Sequence, residues 1–170
     1  MDLHWYITRM RDDGEGIVAM VDGIDEAAWR WRPASDAWSL LEVVNHLADE
    51  ETDDFRTRLR MTLIDPGEPW PGIDPPAWVT DRGYQDRDPA ESVSRFAAAR
   101  AESLEWLGTL ETPDWSATYQ HLLLGDITAA DLLTSWHAHD LLHLRQIVGL
   151  LFRYAESETG GGSAGYAGPW

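Results

Sequence analysis

WSLLEVVNHLADEE, residues 38–51, carries both the start signal of a helix and the pattern of one buried along a face. Ser39 is placed to cap the first turn, Glu42 reaches back to the cap N–H, and Trp38 can pack on Val43 across the start. At about 100° per residue, Leu40, Val43, Val44, Leu47 and then Phe55 fall on one arc, which predicts an amphipathic helix. His46 lies at the edge of that arc, where its ring can point inward between helices. Glu50 follows one turn later and Asp54 one turn after that.

The same start signals recur. Asp88, Pro89 and Glu91 supply an N-cap, a first-turn proline and an N3 acid. Ile127, Thr128, Asp131 and Leu132 repeat the apolar clasp and the reciprocal cap. Helices are therefore expected to begin near 39, 88 and 128. A fourth, over 2–22, follows from the spacing of Leu3, Tyr6, Ile7, Met10, Ile17 and Val21 and stops at Gly23, with Gly14 and Gly16 as its weak points. Residues 116–124, SATYQHLLL, read as a short extended segment. The expected fold is all-α: a four-helix bundle over residues 1–154, then a mobile Gly/Ser-rich tail over 155–170. Trp170 reads as part of a frayed end.

Between the second and third helices, IDPGEPWPGIDPPAWVTDRGYQDRD (residues 64–88) is far longer than the ~2–8 residues usual in bundles. Its two readings are a strap that packs Trp70 and Trp78 over the bundle, or the wall or lid of a substrate pocket.

Composition narrows the function. A chain of 170 residues makes one domain with its own core. Its net charge of −17 repels phosphate backbones and anionic membranes, so nucleic acid and membrane are not expected partners. All 13 basic residues are arginine, which excludes Schiff-base and phosphate-loop lysine chemistry. There is no cysteine, so any thiol must come from outside. That, with no apolar run near ~18 residues and no secretory leader pattern, predicts a cytoplasmic protein.

SWHAHDLLHLRQ, residues 135–146, holds three histidines within seven positions. His139 and His143 lie about 40° apart on a helical wheel and can reach one point, whereas His137 lies about 160° from His139. An HxxxH pair supplies two metal ligands, and His46 is the candidate for the third. Asp140 projects into the apolar arc of Leu133, Trp136, Leu144, Ile147 and Leu151, so it needs a partner. It can accept from the free ring N–H of a ligand histidine, or bond to a tryptophan N–H or a neighbouring helix. His4 and His121 read as surface or locally bonded groups, and Arg145 and Arg153 as solvated.

RPASDA followed by WSLLEVVNHLADEE, and then GDITAADLLTSWHAHDLLHLRQI, resemble the DinB-like superfamily, including its YfiT-like group of metal-dependent hydrolases. This is not the DNA polymerase of similar name. The resemblance covers most of residues 1–152. It implies a four-helix bundle holding one divalent ion (zinc, nickel, iron or manganese) on His46, His139 and His143, often in a homodimer. It also implies a small-molecule substrate, with low-molecular-weight thiols such as mycothiol or bacillithiol as co-substrates in better-understood relatives.

Three neutral imidazoles leave an ion at least one open position. Two chemistries follow. A bound water can attack an activated bond with Glu50 or Asp54 as proton acceptor, or a small thiol can bind as thiolate and become the nucleophile. Glu50 can equally be a fourth ligand. The expected function is a metal-dependent thiol S-transferase or hydrolase. The alternatives are a non-catalytic metal-binding dimer acting as a sensor or stress protein, and a DNA-damage factor, which the charge opposes.

Overall fold

The computed structural model describes residues 1–158, 160 and 162–168; the reading of Trp170 lies outside them. Four long helical stretches make the bundle. α1 spans Leu3–Val21. α3, Leu40–Asp49, runs through a π-helical turn, Glu50–Phe55, into α4, Arg56–Ile64. α6 spans Pro89–Gly108, and α7 spans Ala129–Glu158, running past position 154. Two short helices, α2 (Glu26–Arg30) and α5 (Pro75–Asp81), lie in the connections. A hairpin of β1 (Thr118–His121) and β2 (Gly125–Thr128) precedes α7, with Tyr119 opposite Ile127.

The helix starts follow the sequence closely. Ser39 and Glu42 form the reciprocal cap, Asp88 accepts from the Glu91 N–H at 2.9 Å, and Thr128 and Asp131 cap one another at 2.9 and 3.0 Å. Each satisfies backbone N–H groups that the first turn leaves without partners. Gly14 is tolerated within α1 because α6 approaches there: a Cβ at Gly14 would lie 3.2 Å from Arg100 Cγ.

Side-chain contacts give the helix directions. Tyr6 meets Thr134 and Gly16 lies beside Leu144, so α1 and α7 run parallel. Asn45 bonds Ser92, Glu51 bonds Arg100 and Arg56 bonds Glu102, so α3–α4 and α6 also run parallel. His46 faces His139 while Phe55 faces Trp136, so these two pairs oppose each other. Two consecutive parallel long helices need a connection that returns the full length of the bundle, which explains the long 65–88 link. The link is a strap rather than a bare loop. Asp74 caps α5, Trp70 stacks on Tyr119 at 3.9 Å, and the buried Tyr84 donates its hydroxyl to Asp49 on α3.

Two apolar clusters fill the bundle. One joins Ile17, Trp29, Leu40, Val44, Phe96 and Ile147; the other joins Met10, Leu59, Leu107, Leu133 and Trp136. Between them, at mid-height, lies a belt of buried polar groups that includes Glu50, Glu51, Asp54, Arg100, Asp140 and His143. A belt of this kind is costly unless its members satisfy one another.

Candidate metal centre

His46 on α3 and His139 and His143 on α7 meet in this belt. The Nε2 atoms of His46 and His139 are 3.3 Å apart, and those of His143 and His139 are 3.1 Å apart. Two imidazole nitrogens on a tetrahedral ion, each at ~2.0–2.1 Å, lie about 3.3 Å from one another. The spacing fits a shared cation. Mutual hydrogen bonding fits less well, because one Nε2 proton on His139 cannot serve two neighbours at once.

The outer ring nitrogens are held so that Nε2 faces inward. His143 Nδ1 lies 2.7 Å from Gln146 Oε1, an acceptor, so the proton sits on Nδ1 and the Nε2 lone pair is free. His46 Nδ1 lies 3.6 Å from Glu50 Oε1, beyond hydrogen-bond distance, and both atoms are buried without a hydrogen-bond partner. Trp38 and Phe55 flank the cup, with ring centroids 4.9 Å from His46 and 5.2 Å from His139. Burial, reinforced by the repulsion that a second proton beside His143 would meet, holds His46 down to about 3. Burial with its histidine neighbours holds His139 down to about 2. Burial also lowers His143. All three rings are therefore neutral near pH 7, the state in which imidazole binds a metal.

Glu50 and Asp54 form a coupled acid pair beside the cup. Burial, followed by a hydrogen bond with Asp54 and the charge of Asp54, pushes Glu50 up to about 9. Burial raises Asp54 as well, against the pull of Arg58, which it meets at 2.9 Å. Glu50 thus presents Oε1 to the Nδ1 side of His46, where it can orient the ring. In that position it is a ring holder before it is a proton acceptor.

Asp140 does not touch a ligand histidine. Both its oxygens take hydrogen bonds from Arg100 on α6, at 2.7 and 2.8 Å, so of the two partners open to it in sequence the neighbouring helix holds it and the ligand histidine does not. The reason is reach: Asp140 is about 100° round α7 from His139 and faces α1 and α6. Burial still pushes Asp140 up to about 6, outweighing the guanidinium. Arg100 also donates to Glu51 Oε1 at 2.9 and 2.5 Å and to the Met10 carbonyl at 2.7 Å. Glu51 Oε1 takes a further bond from Trp136 Nε1 at 2.9 Å. Sequence reasoning missed both Arg100 and Glu51. His137 turns to α1, 3.0 Å from Asp13. His4 is exposed, and His121 Nδ1 accepts from the Leu123 and Leu124 N–H groups.

A sequence profile described as the DinB superfamily matches residues 9–147, from α1 through most of α7. The chain belongs to the DinB superfamily. All three histidines of the cup fall within the DinB match. Among solved structures, YfiT from Bacillus subtilis, a probable metal-dependent hydrolase with an unusual four-helix bundle topology, superposes with a TM-score of 0.79. The two are 19% identical, over 90% of this chain and 87% of YfiT. TT2238, a four-helix bundle protein, superposes with a TM-score of 0.61 at 19% identity, over 86% of this chain and 98% of TT2238. These likenesses show that the DinB fold is shared. A search of curated protein sequences finds no match. Among the described residues no helix is long and apolar enough to cross a membrane.

Proposed function

We propose that this DinB-superfamily protein is a metal-dependent enzyme acting on a small molecule, with one divalent ion held by His46, His139 and His143. The observation that carries the reading is the convergence of three neutral imidazoles at the spacing of a shared ion. Three ring nitrogens leave a tetrahedral ion one position for an exogenous ligand. An ion there supplies Lewis acidity, lowering the pKa of a coordinated water or thiol toward neutrality.

The chain's own residues do the rest. Glu50 faces the His46 Nδ1 at 3.6 Å, one small approach from holding the ring, Gln146 fixes the His143 tautomer, and Trp38 and Phe55 exclude water from the flanks of the cup. Leu142, on the same side of α7 as His139 and half-exposed, gives the surface beside the cup an apolar character suited to a small organic substrate. Likeness to YfiT favours water as the nucleophile and hence hydrolysis. Thiol transfer is the second reading, favoured by the lack of cysteine: no thiol of the chain itself competes for the open position.

The test is a panel of activated esters, amides and phosphoesters, alone and with low-molecular-weight thiols, given to zinc-, nickel-, iron- and manganese-loaded protein. Turnover by the loaded wild type that His139→Ala abolishes, with helicity intact, is the expected result. Stoichiometric metal with no turnover across the panel would leave a binding module and overturn the enzyme reading.

A further inference from the structure

On the opposite side of α7 from the histidine cup, α1 and α7 bring together Asp13, His137 and Asp140. One ligand atom from each lies within 4.8 Å of the others. Asp13 Oδ2 and His137 Nδ1 are 3.0 Å apart, close to the spacing of two ligands on one ion. Both atoms are buried, and at this distance neither makes a hydrogen bond. The ring N and the carboxylate O are adjacent but not aimed at one another. That is the geometry of two donors converging on a third body.

Negative charge outweighs positive around the site. Three carboxylates, Asp13, Asp140 and Glu51, meet one guanidinium, Arg100, in a mostly buried region, leaving an excess of carboxylate that the His137 ring alone is placed to share. The donors are also held in place. Arg100 pins Asp140, while the Trp5 and Tyr6 rings pack edge-on against the His137 ring at 5.3 and 5.9 Å. Each carboxylate oxygen has two lone-pair directions, so Asp140 can accept from Arg100 and still ligate.

We propose that Asp13, His137 and Asp140 form a second divalent-cation site, separate from the three-histidine cup, that ties α1 to α7. Two carboxylates and one imidazole suit manganese or zinc. The site stands independently of the proposed activity and of whether the histidine cup takes a metal.

The experiment titrates the apoprotein with Mn²⁺, following the free-ion signal by electron paramagnetic resonance, and repeats it with Zn²⁺ by calorimetry. Asp13→Asn, His137→Ala and His143→Ala are compared with wild type, with circular dichroism as the check on folding. The expected result is one equivalent that Asp13→Asn and His137→Ala each remove and His143→Ala leaves in place. If Asp13→Asn fails to fold, the half-buried His137→Ala still carries the count. The proposal is overturned if no bound equivalent depends on His137 or Asp13, including the case where these variants change only thermal stability. Asp13 and His137 would then be an ordinary ion pair.

Discussion

Replacing Arg100 with methionine removes the cation at the centre of the polar belt while keeping most of its volume. The wild-type guanidinium makes five hydrogen bonds to Glu51, Asp140 and the Met10 carbonyl and is only 4% exposed. Removing one partner of a buried ion pair costs about 3–5 kcal/mol, and here two carboxylates lose their partner together. The upper part of that range, ~4–5 kcal/mol, is therefore expected, against a total of about 5–15 kcal/mol for a domain. With a urea m-value of ~2 kcal/mol/M, the unfolding midpoint falls by about 2 M. The deficit also has a sign in pH. Asp140 is already held up to about 6 by burial against the pull of Arg100, and without the guanidinium it rises further, so the variant keeps more of its stability in acid and loses more of it as pH rises. The gap between wild type and variant should widen from pH 4 to pH 8. A gap below ~1 kcal/mol, or one that does not change with pH, would refute the buried network.

Three other changes probe the cup and its surroundings. Glu50→Leu takes away the acceptor facing His46 Nδ1 and should weaken zinc binding by ~10–100-fold in calorimetry with helicity unchanged; unaltered affinity would show that Glu50 does not hold the ring. In the apoprotein, His139 is held at about 2 against an ordinary 6.5, so below pH 6.5 the unfolded chain binds the extra proton. The stability of wild type relative to His139→Ala should therefore shrink as pH falls from 6.5, measured by urea unfolding at each pH; a difference flat in pH would contradict the buried neutral ring. Trp70→Ala removes the stack on Tyr119 and should cost ~1–2 kcal/mol and speed proteolysis within 65–88, leaving metal content unchanged.

The helix starts were legible because capping is local: Ser39, Asp88 and Thr128 act on N–H groups two or three residues away. The facing of His139 and His143 was legible for the same reason, since one helix fixes both. The crossing partners were not. Arg100 sits in RFAAARAES, where an arginine reads as solvated, and only the approach of α1 at Gly14 with Glu51 and Asp140 makes it central. Glu51 was hidden by the π-helical turn, which breaks the 3.6-residue period through EETDDF and lets the neighbours Glu50 and Glu51 both turn inward. The hairpin showed in sequence only as the extended run 116–124. Its second strand, GDIT, borders a helix cap and has no alternation of its own. A carboxylate in the apolar arc of α7 signals that Asp140 needs a partner, but which partner depends on the helix that lies opposite.

The most direct test of the central claim is a crystal structure of the zinc-loaded protein with anomalous diffraction collected at the zinc edge. A peak is expected between the Nε2 atoms of His46, His139 and His143, about 2.0–2.1 Å from each. An empty cup, with His139 Nε2 still 3.1 and 3.3 Å from the Nε2 atoms of His143 and His46, would contradict it.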